Sequence, residues 1–305
     1  MSDQADGLRK LVRERSGASA LLALAPPAPA PVAAPPRARS LVLTSGKGGV
    51  GTSNLALNLA IALGELGERV VLVDADLGLA NIDLLCGINP GRDLGDVLAG
   101  DVPLEDVVVE GPAGVRILPG AHGMRTLPEL LDGAPARLAA ELATFERSAD
   151  CVIVDAGSGL NPAVSALAAA AGETIVVTTP EPTSIADAHA AIGRLRRLPG
   201  VSLRVVVSQS RSTAEAHDVL ERVCLTSRQF LGAVVTPLGH VRFDRRVPTA
   251  VRSRTPFLTA APHSLASRSV RRLARAWLSE HSGASRRPGF FDALTARLAL
   301  GRLAR

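Results

Sequence analysis

Gly46-Lys47-Gly48-Gly49-Val50-Gly51-Thr52-Ser53 stands between a short apolar run, Leu41–Thr44, and a long Ala- and Leu-rich segment, Thr52–Leu66. A glycine-rich turn between a strand and a helix lets backbone N–H groups converge on one point. The helix N-terminus behind them favours an anion. The motif G-x-x-x-x-G-K-[ST] is met everywhere except at its lysine, where Thr52 stands, and Ser53 supplies the hydroxyl such loops place on Mg²⁺. Gly46, Lys47, Gly48, Gly49, Val50, Gly51, Thr52 and Ser53 are therefore the candidate phosphate-binding residues.

Outward from this loop, the runs Leu41–Thr44, Val70–Asp74, Val115–Leu118, Cys151–Asp155, Thr174–Thr179, Leu203–Ser208 and Ala233–Thr236 are predicted strands. Helix-length segments lie among them: Thr52–Leu66, Asn161–Ala171, Thr183–Leu198 and Thr213–Phe230. Strand and helix alternating at this rhythm predict an α/β fold with a doubly wound, mainly parallel sheet. The near-continuous Val/Ile/Leu strands expect helices on both faces. Four segments follow from composition. Residues 1–15 form a short charged element, with Leu8, Leu11 and Val12 at helical spacing. Residues 16–39 are an Ala/Pro-rich linker that favours extended backbone. Residues 40–281 make the α/β domain, and residues 282–305 a basic tail.

The 305 residues are 47% hydrophobic and 21% charged, enough for a core, which excludes a wholly disordered chain. Aromatics are 2% with no Tyr, which argues against a surface that stacks nucleic-acid bases. Cys86, Cys151 and Cys224 are scattered, without a C-x-x-C pair, and indicate neither a disulfide framework nor a thiolate metal site. The six histidines lack metal-ligand spacing and read as structural or surface; Phe230 and Trp277 read as core. The start carries no cationic signal-peptide region, and no apolar run reaches the ~18 residues of a membrane span, so a cytoplasmic location is expected. Of 34 basic residues only Lys10 and Lys47 are lysines, which singles out Lys47 within the glycine loop.

The loop, headed by Lys47, resembles that of the MinD/ParA family, the deviant Walker A ATPase switches. The resemblance implies a P-loop fold, ATP and Mg²⁺ as cofactors, and a homodimer in the ATP state, with Lys47 reaching the partner's nucleotide. Thr52 departs from the lysine that would serve the chain's own nucleotide. Val73–Asp83 is similar to the family's switch I, which implies that Asp76 orients the attacking water and Asn81 supports it. Val152–Asp155 resembles Walker B, with Asp155 on the Mg²⁺ water shell; Asp74 joins Ser53 and Asp155 as a metal candidate, and Gly157 and Gly159 fall in switch II. Where the family usually places the Asn that reads adenine, this chain has Ser208-Gln209, and these are the candidate base contacts.

The ends resemble the flagellar-number branch of the family, the FlhG type. Asp3-Gln4-Ala5-Asp6-Gly7-Leu8-Arg9 is similar to that branch's D-Q-A-x-x-L-R element, which implies that Asp3, Gln4, Leu8 and Arg9 contact an SRP-type, FlhF-like GTPase. In a helix from Gly289, Phe290, Phe291, Leu294 and Leu298 fall within an arc of about 100°, with Arg297, Arg302 and Arg305 nearby. This resembles the membrane-targeting helix of MinD and implies peripheral attachment to an anionic surface at the inner face of the cell membrane. The expected function is an ATP-dependent dimerising switch for flagellar placement and number. The rival readings are a nucleotide-binding pseudo-ATPase scaffold that lost hydrolysis with Thr52, and a ParA-like DNA segregation ATPase; no specific nucleic acid is expected. One charge-assisted bond to phosphate is worth roughly 1.5–3 kcal/mol. On that figure, restoring lysine at 52 gains about ten- to hundredfold in affinity.

Overall fold

The computed structural model describes residues 38–76, 81–120, 136–159, 161–281 and 288–303. An eight-stranded sheet is built from β1 (Arg39–Ser45), β2 (Val70–Asp74), β3 (Val109–Glu110), β4 (Arg116–Leu118), β5 (Cys151–Ser158), β6 (Glu173–Thr178), β7 (Ser202–Ser210) and β8 (Val235–Arg242). Their order is β3-β4-β2-β5-β1-β6-β7-β8, antiparallel only between β3 and β4. The helices are α1 (Thr52–Glu65), α2 (Ile82–Cys86), α3 (Leu94–Ala99), α4 (Ala136–Arg147), α5 (Pro162–Ala171), α6 (Pro182–Leu195), α7 (Thr213–Leu231), α8 (Arg246–Arg252), α9 (Phe257–Ala260), α10 (Leu265–Glu280) and α11 (Phe290–Leu303).

Strand residues alternate between two cores. Val70 and Leu72 face one with α1, α9 and α10; Val71 and Val73 face the other with α4, α5, α6, α7 and α11. Two covered faces explain why the strands read as unbroken apolar runs. α1 is buried nearly all round because it is wedged between the sheet and α10. Side-chain caps set helix starts: Asn161 accepts from the Val164 N–H, Ser212 from Glu215 and Ser264 from Ser267. Under the sheet's amino-terminal edge, Glu173 is buried against Arg204, accepts from Trp277 Nε1 at 3.2 Å, and lies 3.0 Å from His281 Nε2.

Three expectations are corrected. The last predicted strand, Ala233–Thr236, starts later and runs to Arg242. Trp277 is buried, but Phe230 is 80% exposed at the end of α7, and Val234, just before β8, is equally exposed. The tail helix does not stand free: Phe290, Phe291 and Leu294 are fully buried and Leu298 is half-buried in the core with α4 and α5.

Candidate phosphate-binding site

The glycine loop leaves the carboxyl end of β1, a central strand, and enters α1. A central position at the carboxyl ends of parallel strands is where such sheets bind ligands. Two glycines are forced. Gly51 precedes α1 at φ 92°, in the left-handed region. Gly46 packs on α6 so closely that a Cβ there would lie 2.0 Å from the Asp187 carbonyl oxygen.

Thr52 is buried, and its hydroxyl donates to Ser45 Oγ at 2.9 Å. Ser45 Oγ donates in turn to the Lys47 carbonyl at 2.9 Å. Gly159 N–H donates to the Ser45 carbonyl at 2.8 Å, and Thr44 Oγ1 donates to the Gly157 carbonyl at 3.1 Å. Neither Ser45 nor Thr44 was among the sequence candidates. Their signal was available: two hydroxyl residues end an otherwise apolar strand directly before the first glycine. Lys47 points outward, its ammonium 3.4 Å from Glu181 Oε2 and 3.3 Å from Thr183 Oγ1 at the start of α6.

Three carboxylates gather beside the loop. Asp155, on β5, is buried, which raises its pKa to about 6. The Ser53 hydroxyl and Gly157 N–H oppose that rise, while the Asp76 charge adds to it. Asp155 Oδ2 is buried and has no hydrogen-bond partner among the described residues. Asp74, next to it in register on β2, is raised to about 8, first by burial and then by the Asp155 charge. Its oxygens accept from the N–H groups of Asp76, Asn81 and Ile82 at 3.0–3.2 Å. Asp74 thus ties down the start of α2, beside Ser53 and Asp155, the other two metal candidates. Asp76 lies across Gly157, where a Cβ would come 2.2 Å from Asp76 Oδ2. An orphaned, buried carboxylate oxygen, a hydroxyl and converging negative charge fit a hard divalent ion with oxygen ligands.

Beside the loop a cavity of about 370 Å³ is lined by Gly49, Gly51, Asn54, Ser208, Gln209 and Phe243, among others. The structure therefore brings the base candidates Ser208 and Gln209 to the phosphate loop. Gln209 is non-glycine at φ 59°, and its Nε2 donates to the Gly49 carbonyl at 3.4 Å. Sequence reasoning missed Asn54, whose helical position faces this cavity, and Phe243, which follows β8.

Asp3, Gln4, Leu8 and Arg9 lie outside the described residues. The tail residues are placed by Glu146 of α4, a buried carboxylate that accepts from the Phe290 N–H at 2.6 Å and the Phe291 N–H at 3.0 Å. Among the described residues no cluster of His, Cys, Asp and Glu has metal-site geometry, and no helix is long and apolar enough to cross a membrane.

Residues 37–106 match the ParA model, described as NUBPL iron-transfer P-loop NTPase. The chain is 37% identical over 236 residues to the antiactivator FleN of Pseudomonas aeruginosa, covering 77% of this chain and 84% of FleN. It is 30% identical over 237 residues to the flagellum site-determining protein YlxH of Helicobacter pylori, covering 77% and 80%. Among solved structures, MinD of Aquifex aeolicus superposes with a TM-score of 0.64 at 26% identity, covering 82% of this chain and all of that one. MinD of Pyrococcus horikoshii, solved with Mg-ADP, gives 0.63 at 26%, covering 82% and 99%.

Proposed function

The chain belongs to the MinD/ParA family of P-loop ATPases, with flagellar regulators among its relatives, and on that premise we propose that it is an ATP-dependent dimerising switch controlling flagellar placement and number. The observation that carries the reading is Lys47. Its ammonium is turned out of its own loop and held at the protein surface by the Glu181 carboxylate, with its side chain 42% exposed. A long cation in that position is free to exchange a surface ion pair, worth at most about 1 kcal/mol, for a phosphate on a facing copy. Ser53 and Asp155 would hold Mg²⁺, which supplies charge neutralisation at the phosphates. Asp76, over Gly157, would orient the attacking water, with the Asp74-anchored Asn81 segment supporting it. The backbone N–H groups of the loop and the N-terminus of α1 would bind the phosphates themselves.

The partner in this reading is an SRP-type GTPase bound through Asp3, Gln4, Leu8 and Arg9, and membrane attachment would run through the tail. Because Phe290, Phe291 and Leu294 are packed inside, attachment requires α11 to leave the body first. One observation favours a second reading, a pseudo-ATPase: the side chain at position 52 is buried in the loop's own hydrogen bonding. Light scattering tests the first reading. A non-hydrolysable ATP analogue with Mg²⁺ should shift the protein from monomer to dimer, and Lys47→Ala should abolish the shift. A mass indifferent to nucleotide in the wild type would overturn it. Dimerisation without measurable steady-state hydrolysis would select the pseudo-ATPase.

A further inference from the structure

We infer that Thr52 and Ser45 form a positioning pair for the phosphate loop, a hydroxyl relay standing where the motif has an ammonium. The inference rests on the reading of this loop as a nucleotide site. The direction of each bond follows from chemistry. A carbonyl only accepts, so the Ser45 hydroxyl gives its proton to the Lys47 oxygen and accepts the proton of Thr52 Oγ1. Both hydroxyls are buried, and a broken relay would leave an unpaired polar group in the interior.

The relay fixes the peptide between Lys47 and Gly48. In a trans peptide the C=O and N–H point in opposite directions. No cis peptide bond occurs among the described residues. With the Lys47 oxygen held toward Ser45, the Gly48 N–H is directed away from it, which in this inference is the side from which the phosphate approaches. An amide aimed at the anion before it arrives has no ordering cost on binding. The same serine accepts from Gly159 through its carbonyl, so the first turn of α1, the loop and the glycine segment after β5 share one hydrogen-bonded unit. Thr52 is thus more than a shortened lysine: it shapes the loop and leaves Lys47 as the loop's single ammonium.

The test is calorimetric titration of the full chain with ADP and with a non-hydrolysable ATP analogue, each with Mg²⁺. Thr52→Val keeps the shape and deletes the hydroxyl; Thr52→Ser keeps the hydroxyl; Ser45→Ala removes the middle of the relay. Thr52→Val and Ser45→Ala should each weaken binding about three- to tenfold. Thr52→Ser should stay within about twofold, and the double variant should be no weaker than the weaker single, because one relay is lost only once. Nucleotide-free unfolding midpoints should fall by no more than the few degrees one hydrogen bond explains. Wild-type affinity in Thr52→Val, even with a lowered midpoint, would overturn the inference, since the hydroxyl would then serve the fold alone. Failure of Thr52→Ser to rescue, or additive losses in the double variant, would overturn it as well. If Thr52→Val does not fold, Ser45→Ala against Thr52→Ser decides. A wild type that binds neither nucleotide overturns the site assignment itself, and the relay's role with it.

Discussion

Replacing Thr52 with lysine separates what an ammonium adds from what the threonine already does. The gain is one charge-assisted hydrogen bond to phosphate, roughly 1.5–3 kcal/mol. The loss is read from the structure: the buried 2.9 Å bond from Thr52 to Ser45 disappears, at about 0.5–1.5 kcal/mol. The difference centres near 1 kcal/mol, or about fivefold tighter binding, below the ten- to hundredfold that the motif alone implies. Hydrolysis should gain more than binding, by at least about tenfold, because the same ammonium meets charge that develops only in the transition state. Titration calorimetry with Mg·ADP and steady-state phosphate release on both proteins would measure the two quantities. Binding no tighter than wild type would refute the reasoning, because an added cation would then find no phosphate to meet. A gain beyond about a hundredfold would refute it from the other side, leaving the relay without worth.

Other perturbations follow from single contacts. Gly46→Ala drives a Cβ to 2.0 Å from a backbone oxygen of α6, so chemical denaturation should report a loss of about 1–3 kcal/mol or more, with nucleotide affinity falling alongside. Glu146→Ala strips the acceptors from two buried N–H groups, at about 1–3 kcal/mol each, and should release α11 as faster proteolysis ahead of Phe290; Glu146→Gln, which keeps one acceptor, should release it less. His281 has its pKa raised, first by its hydrogen bond to Glu173, so the stability it contributes is fully present below about pH 6.5 and is lost as pH rises through the higher folded value. His281→Gln should therefore lower the unfolding free energy more at pH 6 than at pH 8.5, by about 1 kcal/mol at most given its partial exposure; equal losses at both pH values would count against the ion pair.

Hydrophobic periodicity says which way a side chain points but not what lies there to meet it. The parallel sheet was legible because its strands are buried on both faces, and burial on both faces writes itself as unbroken runs such as Val70–Asp74. The loop was legible because glycine, a conformational requirement, cannot be replaced cheaply at positions such as Gly46 and Gly51. Phe230 shows the limit. It keeps the spacing of Ala216, Val219 and Val223, which are buried on α7, and yet stands exposed, because no described element covers its side of the last turn. The tail shows the same limit reversed. Phe290, Phe291, Leu294 and Leu298 share an apolar arc, as the sequence indicates, but an arc suits a protein core as well as a lipid surface. In this structure the arc faces the core, and Glu146, 144 positions before Phe290, accepts from the first turn of α11. Releasing α11 would strip two buried N–H groups of this carboxylate and expose Phe290, Phe291 and Leu294 together, so polar and apolar terms both hold the helix down. The side chain that docks the tail therefore reads, in sequence, as one more solvated glutamate on an amphipathic helix.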